Sequence, residues 1–492
     1  MNPTIGLLVS RGWMSLCAFG TFVVIGQTLT PTEFGIFALA SSISLLPHGL
    51  VGSGFYERTM SRTGEPGEFQ TSYWCTALMG FIGWAVILMI AAVLWFVFDE
   101  DSVAGLLAAL SFATLSWGFS AIYEAGLLRE GKGGHVAGVL VLAETVGFIA
   151  MAIGLEAGFG VISLAVGRCA NAVVTLAGYW IVSRTPVGGF NWRQARQMLG
   201  YSIDMMLNRM LHWVDGYGGD IVVAAVLHAS GLGLYRMGMR LFAAVGAVVL
   251  TAPSAAHIAT AGTAADTGPA RVSAVTSRYI RLHAMFGFPV LAIIAASAGT
   301  VVSIFLKPQW AASADVAALL CLLAPSWVVG GATSAVLLAR GETRKLLYIN
   351  IANAVIGVAA VLLGAIGEPE GIAASKAIVA MAFTLSIMLM AQTLDRHHVW
   401  RTLHVVGVAL IASLLCAAAM TMVMEGLHDT GPALVRIVKL ALASAFGLGV
   451  YGLTLWALAR NNFRLSWCLL ERIVRPRRRG SGCMSHAVGS TS

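Results

Sequence analysis

Six basic residues fall inside long apolar runs, where a solvated charge is expensive: Arg11, Arg168, Arg209, Arg236, Arg240 and Lys376. Placing such a group at the centre of a hydrocarbon layer costs about 2.5–3.5 kcal/mol even on a lenient insertion scale. Each therefore marks a functional site or a paired charge. Arginine suits the recognition of a diphosphate, because its planar fork donates parallel hydrogen bonds to phosphate oxygens and burial does not strip its charge. Arg236 and Arg240 stand four residues apart on one helix face, where like charges repel unless an anion stands opposite. The six are candidates for lining a cavity that takes an anion such as a diphosphate. The competing reading is that they pair with Asp204, Asp215, Asp220, Glu124 or Glu144 and staple helices together. Asp220 would neutralise only one of Arg236 and Arg240. Arg11, Arg236 and Lys376 lie shallower than the others, within reach of the interface for a long side chain.

Four carboxylates in the same runs, Asp204, Asp215, Glu124 and Glu144, are candidates for taking up H+ or Na+ and so coupling transport to an ion gradient. Asp204, Asn208, His212 and Asp215 follow one another at spacings of four, four and three, which puts them on one helix face. Inside lipid such a stripe must face a cleft or another helix. For any one of these residues an inter-helix hydrogen bond is the plainer reading, and His212 alone reads as a core histidine.

The elements that carry these residues follow from composition. The chain of 492 residues is 58% hydrophobic and 11% charged, with a mean hydropathy of +0.81; a soluble domain carries about 25% charged residues. The apolar residues come in blocks of span length, placed at 5–28, 35–56, 72–98, 103–127, 136–155, 160–182, 199–226, 233–258, 280–305, 313–338, 346–366, 371–393, 402–425 and 433–459. The first block has Arg11 where a signal peptide needs an apolar core, so it reads as a retained span. Pro47, Pro289 and Pro325 fall inside spans and are expected to kink them. The seven cysteines are scattered without CxxC spacing, which predicts neither a metal site nor a disulfide. No GxxxxGK[ST] occurs, so no nucleotide or other cofactor is expected.

The net charge of +8 and pI near 9.3 raise nucleic acid as a partner, and charge placement argues against it. Alternate connections hold Arg58, Arg62, Arg129, Lys132, Arg184, Arg193, Arg196, Arg271, Arg278, Arg281, Arg340, Arg344, Lys345, Arg396 and Arg401, whereas the opposite set holds Lys307 alone among mostly acidic residues. That asymmetry is the positive-inside pattern and predicts two cytoplasmic termini. The tail, with Arg472, Arg475 and Arg477 to Arg479, is a topology anchor or a contact for anionic membrane lipids.

The halves also match each other. LTPTEFGIF at Leu29–Phe37 aligns with LHASGLGLY at Leu227–Tyr235, Ser116-Trp117 with Ser326-Trp327, and Gly160-Val161 with Gly371-Ile372. Six spans separate the copies, so the repeat is parallel, related by an axis along the membrane normal. The expected architecture is an all-α polytopic membrane protein of about fourteen helices. Residues 1–190 and 191–400 form two six-helix bundles, 401–460 two additional helices and 461–492 a basic cytoplasmic tail.

LTPTEFGIFALA after span one, Asp220 followed by LGLY at Leu232–Tyr235, and KPQWAASA at Lys307–Ala314, together with the basic turns after spans four and ten, resemble the oligosaccharide flippases. These form a polysaccharide transporter family of the MOP superfamily, which also holds MATE exporters and lipid II flippases. The resemblance covers most of the chain and departs from it in the long basic tail. It implies alternating access, no enzymatic activity, and export of undecaprenyl-diphosphate-linked oligosaccharide across the bacterial inner membrane. A polysaccharide polymerase and ligase would act next. A MATE-like exporter of cations would call for an acidic cavity. A lipid II flippase differs only in cargo. A membrane glycosyltransferase would need a long extracytoplasmic segment, and no connection has room for one.

Overall fold

The computed structural model describes residues 3–60, 67–183, 188–246, 264, 267–340, 342–364, 368–390, 396–426 and 432–458, and among these every regular element is a helix. The helices run α1 Pro3–Thr28, α2 Pro31–Leu50, the short α3 Phe55–Met60, α4 Glu68–Phe98, α5 Asp101–Arg129, α6 Gly133–Glu156, α7 Ile162–Ser183 and α8 Trp192–Trp213. They continue with α9 Gly219–Gly246, α10 Pro269–Phe305, α11 Ala312–Leu320, α12 Ala324–Ala339, α13 Thr343–Gly364, α14 Pro369–Met390, α15 Arg396–Gly426 and α16 Ala433–Leu458. The basic tail from 461 onward lies outside the described residues.

Eleven stretches among the described residues are long and apolar enough to cross a membrane. Helices α1 and α14 and a break inside α9 bring the helix count near the expected fourteen. The break is at His228, whose φ of 59° lies in the left-handed region that side chains with a Cβ rarely adopt. Helix α8 runs through a π-turn at Val214–Gly218 into the first arm of α9, so the chain crosses once before His228 and again after it. Near 320 a second interruption has a chemical cause. Pro325 has no N–H to give and its ring crowds the carbonyl of Cys321, and a 3-10 turn at Cys321–Leu323 separates α11 from α12.

Leu78, Phe81, Met89, Val93 and Phe96 stand exposed along α4, the last at 81%. An apolar strip of that length is a lipid face. Between helices, small residues replace the hydrophobic drive that lipid removes. A Cβ on Gly80 of α4 would sit 2.7 Å from the Gly118 Cα of α5, so only glycine permits that crossing.

The chain divides into two compact units. The first comprises Met1–Ala244, Val301–Leu320 and Arg344–Ala380, and the second Val245–Thr300, Cys321–Thr343 and Met381–Ser492. In the second, Met285 of α10, Val405, Val408, Ala412 and Cys416 of α15, and Tyr451 and Leu455 of α16 form an apolar core.

In the first unit the matched repeat segments meet each other. Helix α2 opens with a capping box: Thr30 Oγ1 accepts from the Glu33 amide at 3.3 Å, and Glu33 Oε2 accepts from the Thr30 amide at 2.7 Å. Pro31 follows at the first turn, where a missing N–H costs nothing. Just beyond, a Cβ on Gly35 would collide with the Ala229 carbonyl, and a Cβ on Gly233 with the Pro31 carbonyl. In the repeat alignment Gly35 corresponds to Gly233 and Pro31 to Ala229. The two contacts are therefore one contact seen from both sides, as an axis along the membrane normal requires.

Candidate functional site

Folding back at His228 fixes which side chains of α9 share a depth. Asp220 lies eight residues before the break and Arg236 eight after it, about 12 Å along either arm. They pair: Arg236 Nε donates to Asp220 Oδ2 at 2.6 Å and Nη2 closes a salt bridge to the same oxygen. Ser42 of α2 donates its hydroxyl to that oxygen, and Arg236 Nη2 also donates to the Gly216 carbonyl at 3.2 Å. The guanidinium lies 4.6 Å from the Tyr217 ring centroid. Every group in this knot has a partner, and Asp220 is 2% exposed.

Arg240, one turn deeper, is different. No carboxylate among the described residues lies within 4 Å of it, and its guanidinium faces the Phe34 ring of α2 at 4.8 Å. The residue is only partly buried. Arg168 of α7 and Arg236 both lie within its electrostatic reach. Arg168 is exposed, and Lys376 of α14, half-buried, acts electrostatically on Asp220. A cation at this depth with no counter-charge and two other cations nearby is costly unless an anion completes it.

The remaining basic candidate with a described side chain sits elsewhere. Arg209 Nη2 donates to Glu57 Oε1 of α3 at 3.2 Å and is 56% exposed. It lies nineteen residues before the His228 break, about 28 Å along the helical run, closer to the basic-loop end than to midspan. Its partner is on α3, not Asp204 of its own helix. The side chains of Arg11 and Asp215 lie outside the described ones.

Helix α8 divides into three faces at about 100° per residue. Ala195, Met198 and Ser202 are buried against the unit, while Leu199, Ile203, Leu207 and Met210 are exposed and apolar. Asp204, Asn208 and His212 make up the third face, with Asp204 and His212 exposed and the Asn208 amide donating to the Asp204 carbonyl at 3.0 Å. A charged stripe beside a lipid face belongs against water or a polar cleft. Glu124 of α5 accepts the Tyr56 hydroxyl at 2.9 Å, and the Tyr179 hydroxyl lies near it without hydrogen-bond geometry. Glu144 of α6 lies beside Cys17 of α1. No group of three His, Cys, Asp or Glu among the described residues is arranged to hold a metal.

Beyond Arg240, at the end opposite the basic loops, the KPQW segment closes on the α1–α2 turn. Trp310 is fully buried edge-on to Phe34, ring centroids 5.9 Å apart. Gln309 Nε2 donates to the Leu29 carbonyl at 3.0 Å, and Gln27 Nε2 to the Phe305 carbonyl at 2.7 Å. Phe34 thus joins the roof to Arg240. Phe34, Tyr217 and Ser42 were not candidates from the sequence. Phe34 has a visible signal, since it stands inside LTPTEFGIF.

A family model described as polysaccharide biosynthesis protein matches residues 24–315. The succinoglycan biosynthesis transport protein ExoT of Rhizobium meliloti (strain 1021) is 27% identical over 277 residues, 51% of this chain and 53% of that protein. The chain thus spans about half the length of the curated relative it matches. Among solved structures, the lipid II flippase MurJ in an inward closed conformation is similar with a TM-score of 0.69, at 11% identity over 93% of this chain and 99% of that one. An inward-facing MATE multidrug resistance transporter of the MOP superfamily follows at a TM-score of 0.63, 15% identity, 82% of this chain and 99% of that one. At these identities the structural likenesses show the fold alone.

Proposed function

Since the chain belongs to the polysaccharide biosynthesis protein family, we propose that it is a multi-pass MOP-superfamily flippase whose cargo is an oligosaccharide repeat unit on undecaprenyl diphosphate. It carries that cargo from the cytoplasmic to the periplasmic leaflet of the bacterial inner membrane, with both termini cytoplasmic. Alternating access comes from rocking of the halves 1–190 and 191–400, with 401–460 as an appendix. The observation that supports this reading most is Arg240, a partly buried arginine without a carboxylate within 4 Å among the described residues. A diphosphate is the anion that answers it and Arg168 together. Arg236 and Lys376 flank the same space and add to its positive potential, while Asp220 holds Arg236 in place.

The driving energy is an H+ or Na+ gradient, for which Asp204, Asp215, Glu124 and Glu144 are the coupling candidates, or consumption of the product by a polymerase and ligase. An exporter of cationic drugs would call for an acidic cavity, whereas Arg168, Arg236 and Lys376 make the surroundings of Arg240 and Asp220 mostly basic. Lipid II offers the same diphosphate and remains the second reading.

Replacing Arg240 by alanine in a strain that lacks the native gene is the direct test. Losing charge-assisted hydrogen bonds of about 2–3 kcal/mol lowers transport by about 30- to 150-fold, so surface polysaccharide should fall to near zero while membrane levels stay normal. Undiminished polysaccharide from Arg240→Ala would remove the reading.

A further inference from the structure

Three aromatic rings form a row in the first unit, toward the basic-loop end from Arg240. The Trp117 indole of α5 stands in the middle. His48 of α2 lies on one side, with centroids 5.8 Å apart and planes 27° from parallel; Tyr56 of α3 lies 6.4 Å away at 31°. The Tyr56 hydroxyl donates to Glu124 Oε1 at 2.9 Å and so ends the row on a carboxylate. All four residues keep part of their surface accessible, although His48 is densely surrounded by protein. Arg168 lies within electrostatic reach of both His48 and Arg240. Arg168 thus links the ring row and the cation site electrostatically.

We propose that this row is a saccharide subsite: the sugar next to the diphosphate lies along the His48, Trp117 and Tyr56 rings, and Glu124 accepts its hydroxyl groups. The inference rests on the diphosphate reading above and adds a second recognition element to the same site. An aromatic face carries partial negative charge and attracts the polarised C–H bonds on the flat side of a pyranose. Rings held within about thirty degrees of parallel form a stack whose accessible edges and outer faces a sugar can meet. A carboxylate accepts hydrogen bonds only, which suits the hydroxyl-rich rim of a sugar. A carboxylate at the end of a stack inside a membrane protein is costly, and hydroxyl groups of a ligand would offset that cost.

The test compares two probes on the purified full-length protein in lipid nanodiscs: farnesyl diphosphate, and farnesyl diphosphoglucose, which adds one hexose. Wild type should bind the sugar-bearing probe about tenfold more tightly, the scale of one good stacking contact. Trp117→Leu should shrink that preference to about twofold or less while leaving farnesyl diphosphate binding unchanged, and Trp117→Phe should retain most of it. Where Trp117→Leu does not reach the membrane, His48→Asn replaces it and is read in the same way. Equal weakening of both probes by either variant, or an unchanged preference, overturns the subsite. A wild type that binds farnesyl diphosphate normally but shows no sugar preference overturns the subsite and leaves the diphosphate reading standing. A wild type that binds neither probe removes the diphosphate reading, and the subsite with it.

Discussion

The second unit and the interior of the first solve the same problem in opposite ways. Where α10, α15 and α16 pack together, two contacts between helices are neutral polar pairs. The Tyr451 hydroxyl donates to the Met285 carbonyl at 2.7 Å, and the Ser277 and Thr402 hydroxyls lie 2.8 Å apart. Around α9 in the first unit, one arginine is matched and its neighbour four residues on is not. Asp220, Ser42 and the Gly216 carbonyl surround Arg236, whereas Arg240 has an aromatic face and two nearby cations. Matched groups in a low-dielectric interior hold helices together, and the unmatched Arg240 is the group to which the proposed function assigns the ligand.

The Arg240→Ala substitution probes that difference with the largest effect on transport. The complementary experiment acts on the matched partner. Asp220→Asn leaves the Arg236 charge buried without a counter-ion, which should cost about 3–5 kcal/mol and show as a lowered thermal midpoint and reduced membrane level. Asp220→Leu with Arg236→Met replaces both members by apolar groups and should recover most of that stability. If Asp220→Asn is as stable as wild type and loses only transport, then the pair belongs to the cargo site and the contrast with Arg240 disappears.

Hydropathy made the long run of apolar helices legible, because the bilayer imposes the same length and composition on every span. The repeat was legible too, in the two segments that meet at Gly35 and Gly233. Arg236 and Arg240 announced a shared face by spacing, but their separate fates did not show. Those depend on Ser42 and Phe34, which α2 brings across from about 200 residues away, and no period within α9 encodes them. Arg209 illustrates the same limit. Its partner Glu57 sits on the six-residue α3, too short to leave a periodic signal. The ring row draws one residue from each of three helices, so its members read singly as ordinary span aromatics.

The reciprocal crossing at the roof supports a prediction of intermediate size. Gly35→Ala and Gly233→Ala each push a methyl into the facing carbonyl, and overpacking of this kind costs about 1–3 kcal/mol. Because the two contacts are related by the repeat axis, the two costs should agree within about 0.5 kcal/mol in thermal unfolding of the purified protein. Widely unequal costs would show that the halves are not equivalent at this crossing. Both variants should also favour states open on the side opposite the basic loops, measurable as faster labelling of a cysteine placed at Trp310.

Tyr451→Phe has the smallest expected effect and isolates the matched region most cleanly. The substitution keeps the ring, which packs against Met285, Cys416 and Leu455, and removes only the hydroxyl. The Met285 carbonyl already belongs to a helix, so it loses a second partner and not its first; the cost should be about 1 kcal/mol. Transport should not change, because no group in that cluster is left waiting for a ligand. A transport defect as large as that of Arg240→Ala, at normal membrane level, would mean that matched polar groups in α10 and α16 also act on the cargo path. The distinction between holding helices and holding a ligand would then fail as a guide to this chain.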